Sequence, residues 1–272
     1  MKTIKINESQ RQRLFEAYQE GFSLECLSMI GRGQFAGEDN SKTQYAYCCK
    51  YLGEPDAKGT SRCVFTLNDS LVLKLAYGRA DVGVEQNHSE ANLFRTAKSP
   101  LLVKIYACDD YNYTWLVSEA VLPAKEIDFE KIFGIPFDSL YRQHSVKMRK
   151  SALPNKGDID IGFNKYFNDI KDYGETKSDG VTISAILEYI TDKYIRPSMF
   201  INPTIGNIIN GGWLQEGLKE WVNELIRLVK AGKVADITKL ENYGIVNRDG
   251  KPQIVLLDSG ATMNLLKKYY QR

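Results

Sequence analysis

No apolar run in this 272-residue chain approaches the roughly 20 residues that a membrane-crossing helix needs. The opening MKTIKINESQRQRLFEAY lacks the apolar core of a secretory signal, so the expectation is a soluble, cytoplasmic protein. Histidine occurs twice and cysteine five times, with no CxxC spacing, which argues against a structural zinc site. An odd number of cysteines that includes the adjacent pair Cys48 and Cys49 reads as reduced thiols. Charge of one sign is also missing: 36 Lys and Arg stand against 34 Asp and Glu, a net charge of +2. So weak a balance supplies no overall field toward nucleic acid or a membrane, and any bound anion must be held locally. There is no internal repeat and no low-complexity tract. What is present is a hydrophobic content of 43%, enough for a well-buried core in one bilobal domain or two small lobes sharing a cleft.

Along the chain, Leu14, Phe15 and Tyr18 share one face of an expected amphipathic helix from Asn7 to Tyr18. GRGQFAGEDNSKTQ reads as a loop, and the folded core is expected to begin at Tyr45. Two β-rich runs, CVFTL and LVLKLA, flank a turn at Asn68-Asp69-Ser70. A helix between Gly83 and Lys98 carries Glu90, and LLVKIYACDD and NYTWLVSEAVL supply two more strands. The expected order is β, β, β, helix, β, β. From Pro123 to Gly212 only ISAILEYITDKYI reads clearly as a helix. Leu214, Leu218, Trp221, Val222, Leu225, Ile226 and Val229 then mark a buried helix over Trp213 to Lys230, with Gly232 placed to end it. GIV and QIVLLD are short strands joined by the turn NRDGK, and TMNLLKKYY is a last helix.

Phosphoryl transfer from a nucleotide needs a cation on the phosphates, oxygen ligands for a metal, and a carboxylate near the acceptor hydroxyl. Lys74 lies inside the apolar strand LVLKLA, where a charge is costly to bury without an anionic partner, and Glu90 on the next helix is the candidate partner. Asp236 follows the buried helix and precedes Asn242, and Asp258 ends the apolar strand IVLLD beside Ser259-Gly260. Taken one at a time these residues have plainer readings. Lys74 can be an edge-strand lysine, Asp236 a turn cap, Asn242 a left-handed loop residue and Asp258 the N-cap of TMNLLKK. Their order, Lys, Glu, Asp, Asn, Asp, is what carries the chemistry.

Through the lysine strand, the helix glutamate, the Asp/Asn loop and the final aspartate, the chain resembles the protein-kinase-like superfamily. GTSRCVFTLNDSLVLKLAYGRADVGVEQNHSEANLF and NYGIVNRDGKPQIVLLDSG are similar to segments of kinase-like proteins encoded by tailed bacteriophages. The resemblance covers roughly Tyr51 to Val121 and Lys233 to Gly260. It implies an α+β, protein-kinase-like bilobal fold with a small antiparallel β-sheet N-lobe and a reduced, mainly helical C-lobe. The implied organisation is a helical extension at 1–43, an N-lobe at 44–122 and a C-lobe at 123–272, with 123–212 unmatched. It further implies ATP and Mg2+ as cofactors. Lys74 would hold the phosphates and Glu90 would orient it. Asn242 and Asp258 would bind magnesium, and Asp236 would serve the acceptor proton. Gly53 and Gly59 would bracket a phosphate loop with Thr60 and Ser61, and Glu119 to Val121 would lie beside the adenine. The departures are specific. LGEPDAKGTS is not GxGxxG, VAD stands for HRD, Asp236 and Asn242 are one position further apart than in the standard loop, and Asp258-Ser259-Gly260 stands for DFG. Residues 259–272 follow Asp258, so the expectation is that no activation segment is present and that acceptor recognition falls to 123–212.

Three functions remain open on these residues. One is an ATP-dependent kinase acting on a protein Ser or Thr or on a small-molecule hydroxyl. Another is a catalytically silent kinase-fold binding or scaffold protein, virion-associated or bound to a host protein. The third is an antibiotic-type small-molecule phosphotransferase. None of them calls for nucleic acid or a membrane.

Overall fold

The computed structural model describes residues 21–33, 40–143, 181–196 and 201–269. The expected helix at Asn7 to Tyr18 and the polar loops around PNKGDIDIGF lie outside them. The chain is α+β, with helices and a small antiparallel sheet, and it divides into two compact units. The first comprises Met1–Leu122 with Val255–Arg272, and the second Pro123–Ile254. Residues 255–272, expected within a second lobe, therefore belong with the first unit.

In the first unit, helix α1 (Leu24–Gly31) starts at Ser23, whose hydroxyl accepts the Cys26 N–H, and buries Leu27 and Ile30. Helix α2 (Asn40–Leu52) occupies part of the stretch expected as loop and runs through AYCCKYL. Gly53, at φ 83°, ends it with an N–H donated to the Cys49 carbonyl. Five strands follow: β1 (Ala57–Lys58), β2 (Arg62–Asn68), β3 (Leu71–Ala76), β4 (Ile105–Cys108) and β5 (Trp115–Glu119). They form one antiparallel sheet in the order β1-β2-β3-β5-β4. Helix α3 (Ala80–Ala97) connects β3 to β4. The β2–β3 turn is closed by the Ser70 N–H on Asn68 Oδ1.

The two faces of the sheet differ. Cys63, Phe65, Leu67, Leu71, Leu73, Leu75, Trp115 and Val117 point to a core that includes Phe22, Leu27 and Cys48 from the N-terminal helices. Val64, Lys74 and Leu116 are register partners on the opposite face, where Ala91 of α3 packs with Leu116 and Ile105. Burial on both sides explains why LVLKLA reads as a nearly continuous apolar run rather than an alternating one. Beyond β5, the Leu256 N–H bonds the Leu101 carbonyl and Leu256 forms a parallel bridge with Leu102. This contact, with Leu265 of the last helix buried, holds residues 255–269 to the first unit. That helix, α8 (Met263–Tyr269), begins at Thr262, whose hydroxyl accepts the Leu265 N–H. The cap is thus Thr262, and Asp258 is left for other contacts.

The second unit contains α4 (Glu126–Phe133), α5 (Ile183–Ile190) with a π-helical continuation over Thr191–Ile195, α6 (Pro203–Asn210) and α7 (Glu216–Lys230). Helix α7 starts later than expected, with Trp213 exposed ahead of it, and buries Leu218, Trp221, Val222, Leu225, Leu228 and Val229. Gly232, at φ 66°, closes it in a Schellman motif: its N–H bonds Val229 O, and the Lys233 N–H bonds Leu228 O. Strands β7 (Tyr243–Arg248) and β8 (Lys251–Leu256) form a hairpin in a three-stranded sheet with β6 (Leu122–Pro123). Asp249 and Gly250 are both left-handed, at φ 55° and 76°, the geometry of a primed hairpin turn. Phe129, Phe133, Phe137, Trp221 and Tyr243 form an aromatic core, with Phe129 edge-on to Tyr243 at 5.6 Å.

Candidate active site

Lys74 sits at the centre of β3 on the face that meets α3, and its side chain is buried. A lysine there needs anionic partners, because a lone ammonium in an apolar setting is strongly penalised. Glu90, also buried, provides one: Nζ lies 2.5 Å from Oε1. The ammonium also donates to the Leu257 carbonyl at 2.8 Å. Lys74 is thereby fixed to the residue directly before Asp258.

Arg62, the first residue of β2, completes the cluster. Its Nη1 donates to Glu90 Oε2 at 2.7 Å and to Asn87 Oδ1 at 3.2 Å, and its Nη2 to Asp258 Oδ1 at 2.8 Å. Asn87 is held in turn by donating to the Tyr113 carbonyl. The result is a neutral quartet of two cations and two carboxylates. Burial alone would push the Glu90 carboxyl up, but the charges of Lys74 and Arg62 outweigh it and hold Glu90 below the usual carboxylate range. Burial opposes the charge on Arg62 as well, yet Asp258 and Glu90 raise its pKa.

Two glycines allow this assembly. A Cβ on Gly83 of α3 would lie 2.2 Å from the Ser61 carbonyl oxygen, and one on Gly260 would lie 2.6 Å from the Gln86 carbonyl oxygen. Backbone on backbone at these distances admits no side chain. Helix α3 therefore lies directly against both the start of β2 and the Asp258-Ser259-Gly260 loop. The Ser61 hydroxyl donates to Gln86 Oε1 at 2.6 Å, and Lys268 of α8 pairs with Glu85. These contacts tie α3 down at its first turns.

The remaining expected residues divide. Ser61 is buried and its hydroxyl is committed to Gln86, so it is not an open phosphate donor. Gly53 terminates α2 rather than framing a phosphate loop. Gly59 forms the tight β1–β2 turn, its N–H bonded to Arg62 O at 2.8 Å, and Thr60 is exposed beside it. The Glu119 N–H bonds Lys104 O, and Glu119 Oε1 accepts the Lys104 N–H, so both brace the end of β5 against the residue before β4. Val121 follows half-buried. In the second unit, Asn242 donates its side-chain amide to the Asp236 backbone carbonyl at 2.7 Å. Asp236 Oδ2 pairs with Lys239 Nζ at 2.8 Å, and the Tyr243 hydroxyl bonds Ile237 O. These bonds cross-brace residues 236–243 into a rigid loop. Lys74, Glu90 and Asp258 thus share one cluster, and Asp236 and Asn242 share another.

Arg62, Gln86 and Asn87 stand in the segments that carry the resemblance, but the sequence reading gave them no role. Arg62 was detectable in principle, because it is the one charged residue of a strand whose Cys63, Phe65 and Leu67 face the core.

Among the described residues no group of three or more His, Cys, Asp or Glu side chains could hold a metal ion by itself. A magnesium ion carried on nucleotide phosphates needs only one or two protein oxygens, and the Asp258 carboxylate fits that mode. Asp258 Oδ2 has no hydrogen-bond partner among the described residues. Cys63 and Cys108 are disfavoured as nucleophiles, because burial pushes their thiols up to about 12. No helix among the described residues is long and apolar enough to cross a membrane. No protein-family model, no curated protein and no solved structure matches this chain.

Proposed function

We propose that this chain is an ATP- and magnesium-dependent phosphotransferase of the protein-kinase-like kind, phage-encoded, acting on a protein Ser or Thr or on a small-molecule hydroxyl. The observation that carries the reading is the buried Lys74–Glu90 pair, tied through the Leu257 carbonyl to Asp258. A buried lysine anchored on a helix carboxylate beside a half-exposed aspartate is what a phosphate-and-metal site needs. In this reading Lys74 holds the phosphates and Glu90 keeps its ammonium in place. Asp258 offers an oxygen to the metal, which would offset phosphate charge. Asp236 orients the acceptor hydroxyl, and Thr60 at the β1–β2 turn meets the phosphates.

A second reading is a catalytically silent kinase-fold binding or scaffold protein, with a virion or host protein as partner. Its support is that Arg62 occupies one oxygen of Asp258 and Gln86 occupies the Ser61 hydroxyl. Thermal unfolding with ATP and Mg2+ separates the two. A ligand present at about a hundred times its Kd and bound only by the folded state adds roughly 2.7 kcal/mol. Wild type should melt higher with millimolar nucleotide, and Lys74→Met should lose most of that rise. An unchanged wild-type melting temperature would remove the phosphotransferase reading. Transfer of labelled phosphate from ATP to the chain itself, to lysate proteins or to aminoglycosides then identifies the acceptor class.

A further inference from the structure

Among the described residues the Asp258 carboxylate is held on one oxygen. Oδ1 accepts from Arg62 at 2.8 Å, and the Asp258 side chain is 36% exposed while that of Arg62 is 10% exposed. Arg62 cannot follow a retreating Asp258, because its other nitrogen is bound to Glu90 and Asn87, both buried on α3. Nor can it yield by losing a proton, since an arginine stays charged in proteins. A cation approaching Asp258 Oδ2 therefore meets a fixed positive charge across the same carboxylate, with the Lys74 ammonium bound one residue away at Leu257. The quartet is already neutral. A bare divalent ion would leave the site with two excess positive charges, whereas a metal bound to a polyphosphate arrives with net negative charge and is favoured by both cations.

We propose that Arg62 is a positioning residue that prevents Asp258 from taking a divalent cation alone, so that metal enters this site only together with nucleotide. The inference rests on the phosphotransferase reading for its biological meaning, but it concerns a contact within one unit of the chain and is tested without turnover. Arg62 also selects which Asp258 oxygen faces the metal, leaving Oδ2 as a one-oxygen ligand. Arg62 lies across the carboxylate, about 6 Å from an ion on Oδ2, and even with water-like screening a unit charge at that distance from a divalent ion changes affinity about tenfold.

The test uses Mn2+ as the probe, with binding read from loss of the free-ion paramagnetic signal in the absence of nucleotide. Wild type should show no saturable uptake in the low millimolar range. Arg62→Met should acquire a site at least about tenfold tighter, and Arg62→Met combined with Asp258→Asn should lose it. Arg62→Gln retains a donor for Glu90 without the charge, and should show the same gain if the methionine variant fails to fold. Wild type that binds Mn2+ as well as Arg62→Met or Arg62→Gln overturns the proposal, as does a gain that survives Asp258→Asn. If wild type takes up no ATP with or without Mn2+, the phosphotransferase reading fails instead, and the metal-alone comparison still decides the role of Arg62.

Discussion

Glu90 is the single carboxylate shared by two buried cations, so removing it should harm the first unit more than removing either cation. Glu90→Gln keeps the volume and deletes the charge. It leaves Lys74 and Arg62 buried against each other, with only the half-exposed Asp258 as a counter-charge. Breaking a buried ion pair by removing one partner typically costs about 3–5 kcal/mol, and here one substitution breaks two pairs. Lys74→Met, by contrast, leaves Glu90 paired with Arg62 and replaces an ammonium with an apolar chain in an apolar strand. It loses the donors to Glu90 Oε1 and to the Leu257 carbonyl, about 1–3 kcal/mol, but leaves no buried charge without a counter-charge. The expected difference is therefore roughly 2 kcal/mol or more, a large share of a domain stability of about 5–15 kcal/mol. The chain has two units, so the assay should read the first one directly. Hydrogen exchange as a function of urea, followed on peptides spanning β3 and α3, reports its opening free energy. With a slope of about 2 kcal/mol per molar, the urea midpoint of Glu90→Gln should fall about 1 M below that of Lys74→Met. Equal midpoints, or a costlier Lys74→Met, would refute the reasoning that Glu90 serves both cations.

Acid should act through the same carboxylate. The folded pKa of Glu90 lies below the unfolded one, about 4.3, so the unfolded chain binds the extra proton between the two values. That contribution is complete above the unfolded pKa and is lost as pH falls through the folded one; the drop in urea midpoint between pH 7 and pH 3 should be smaller in Glu90→Gln than in wild type. Gly83→Ala forces a methyl onto the Ser61 carbonyl and should cost about 1–3 kcal/mol, read as faster exchange of the α3 amides, whereas Gly217→Ala, with open space around it, should cost nothing of the kind. Asp236→Asn should leave nucleotide binding nearly intact while lowering transfer about a hundredfold or more, whereas Asp258→Asn should weaken metal–nucleotide binding in calorimetry. Equal binding losses in both would contradict the separate roles.

Much of the architecture was legible in local patterns. The strand, turn and helix order from Arg62 to Glu119 follows from β-rich runs, the Asn68-Asp69-Ser70 turn and one helical period. The α7 stripe with Gly232 after it, and the Asp249-Gly250 hairpin, are equally local signals. Helix α2 was missed because its tyrosines and cysteines carry no strong helical preference, and its burial of Cys48 appears only against the back of the sheet. The early start expected for α7 failed because Trp213 and Leu214 fit the apolar period yet lie before the helix, with Trp213 exposed.

What the sequence by itself determined is the cast of the site: a lysine in an apolar strand, a glutamate on the next helix, and an aspartate at the end of a second apolar strand. Their assembly was decided by tertiary structure, and the register of β2 on β3 shows why. Asn68 opposes Leu71, but Thr66 opposes Val72, so Leu67 is an extra residue, a β-bulge. After the bulge Val64 opposes Lys74 and Arg62 opposes Ala76, which places Arg62 on the same face as Lys74. Without that extra residue every side chain of β2 would change faces, because the side-chain period of a strand is two. Arg62 would then point into the core beside Phe22 and Cys48, an apolar cluster among the described residues. The alternation of Cys63, Phe65 and Leu67 with Arg62, Val64 and Thr66 divides β2 into two faces, but the register that turns each face to its partner is not written in that alternation. It was fixed by which alternate residues the N-terminal helices cover and which α3 covers, a choice that exists only once the chain has folded.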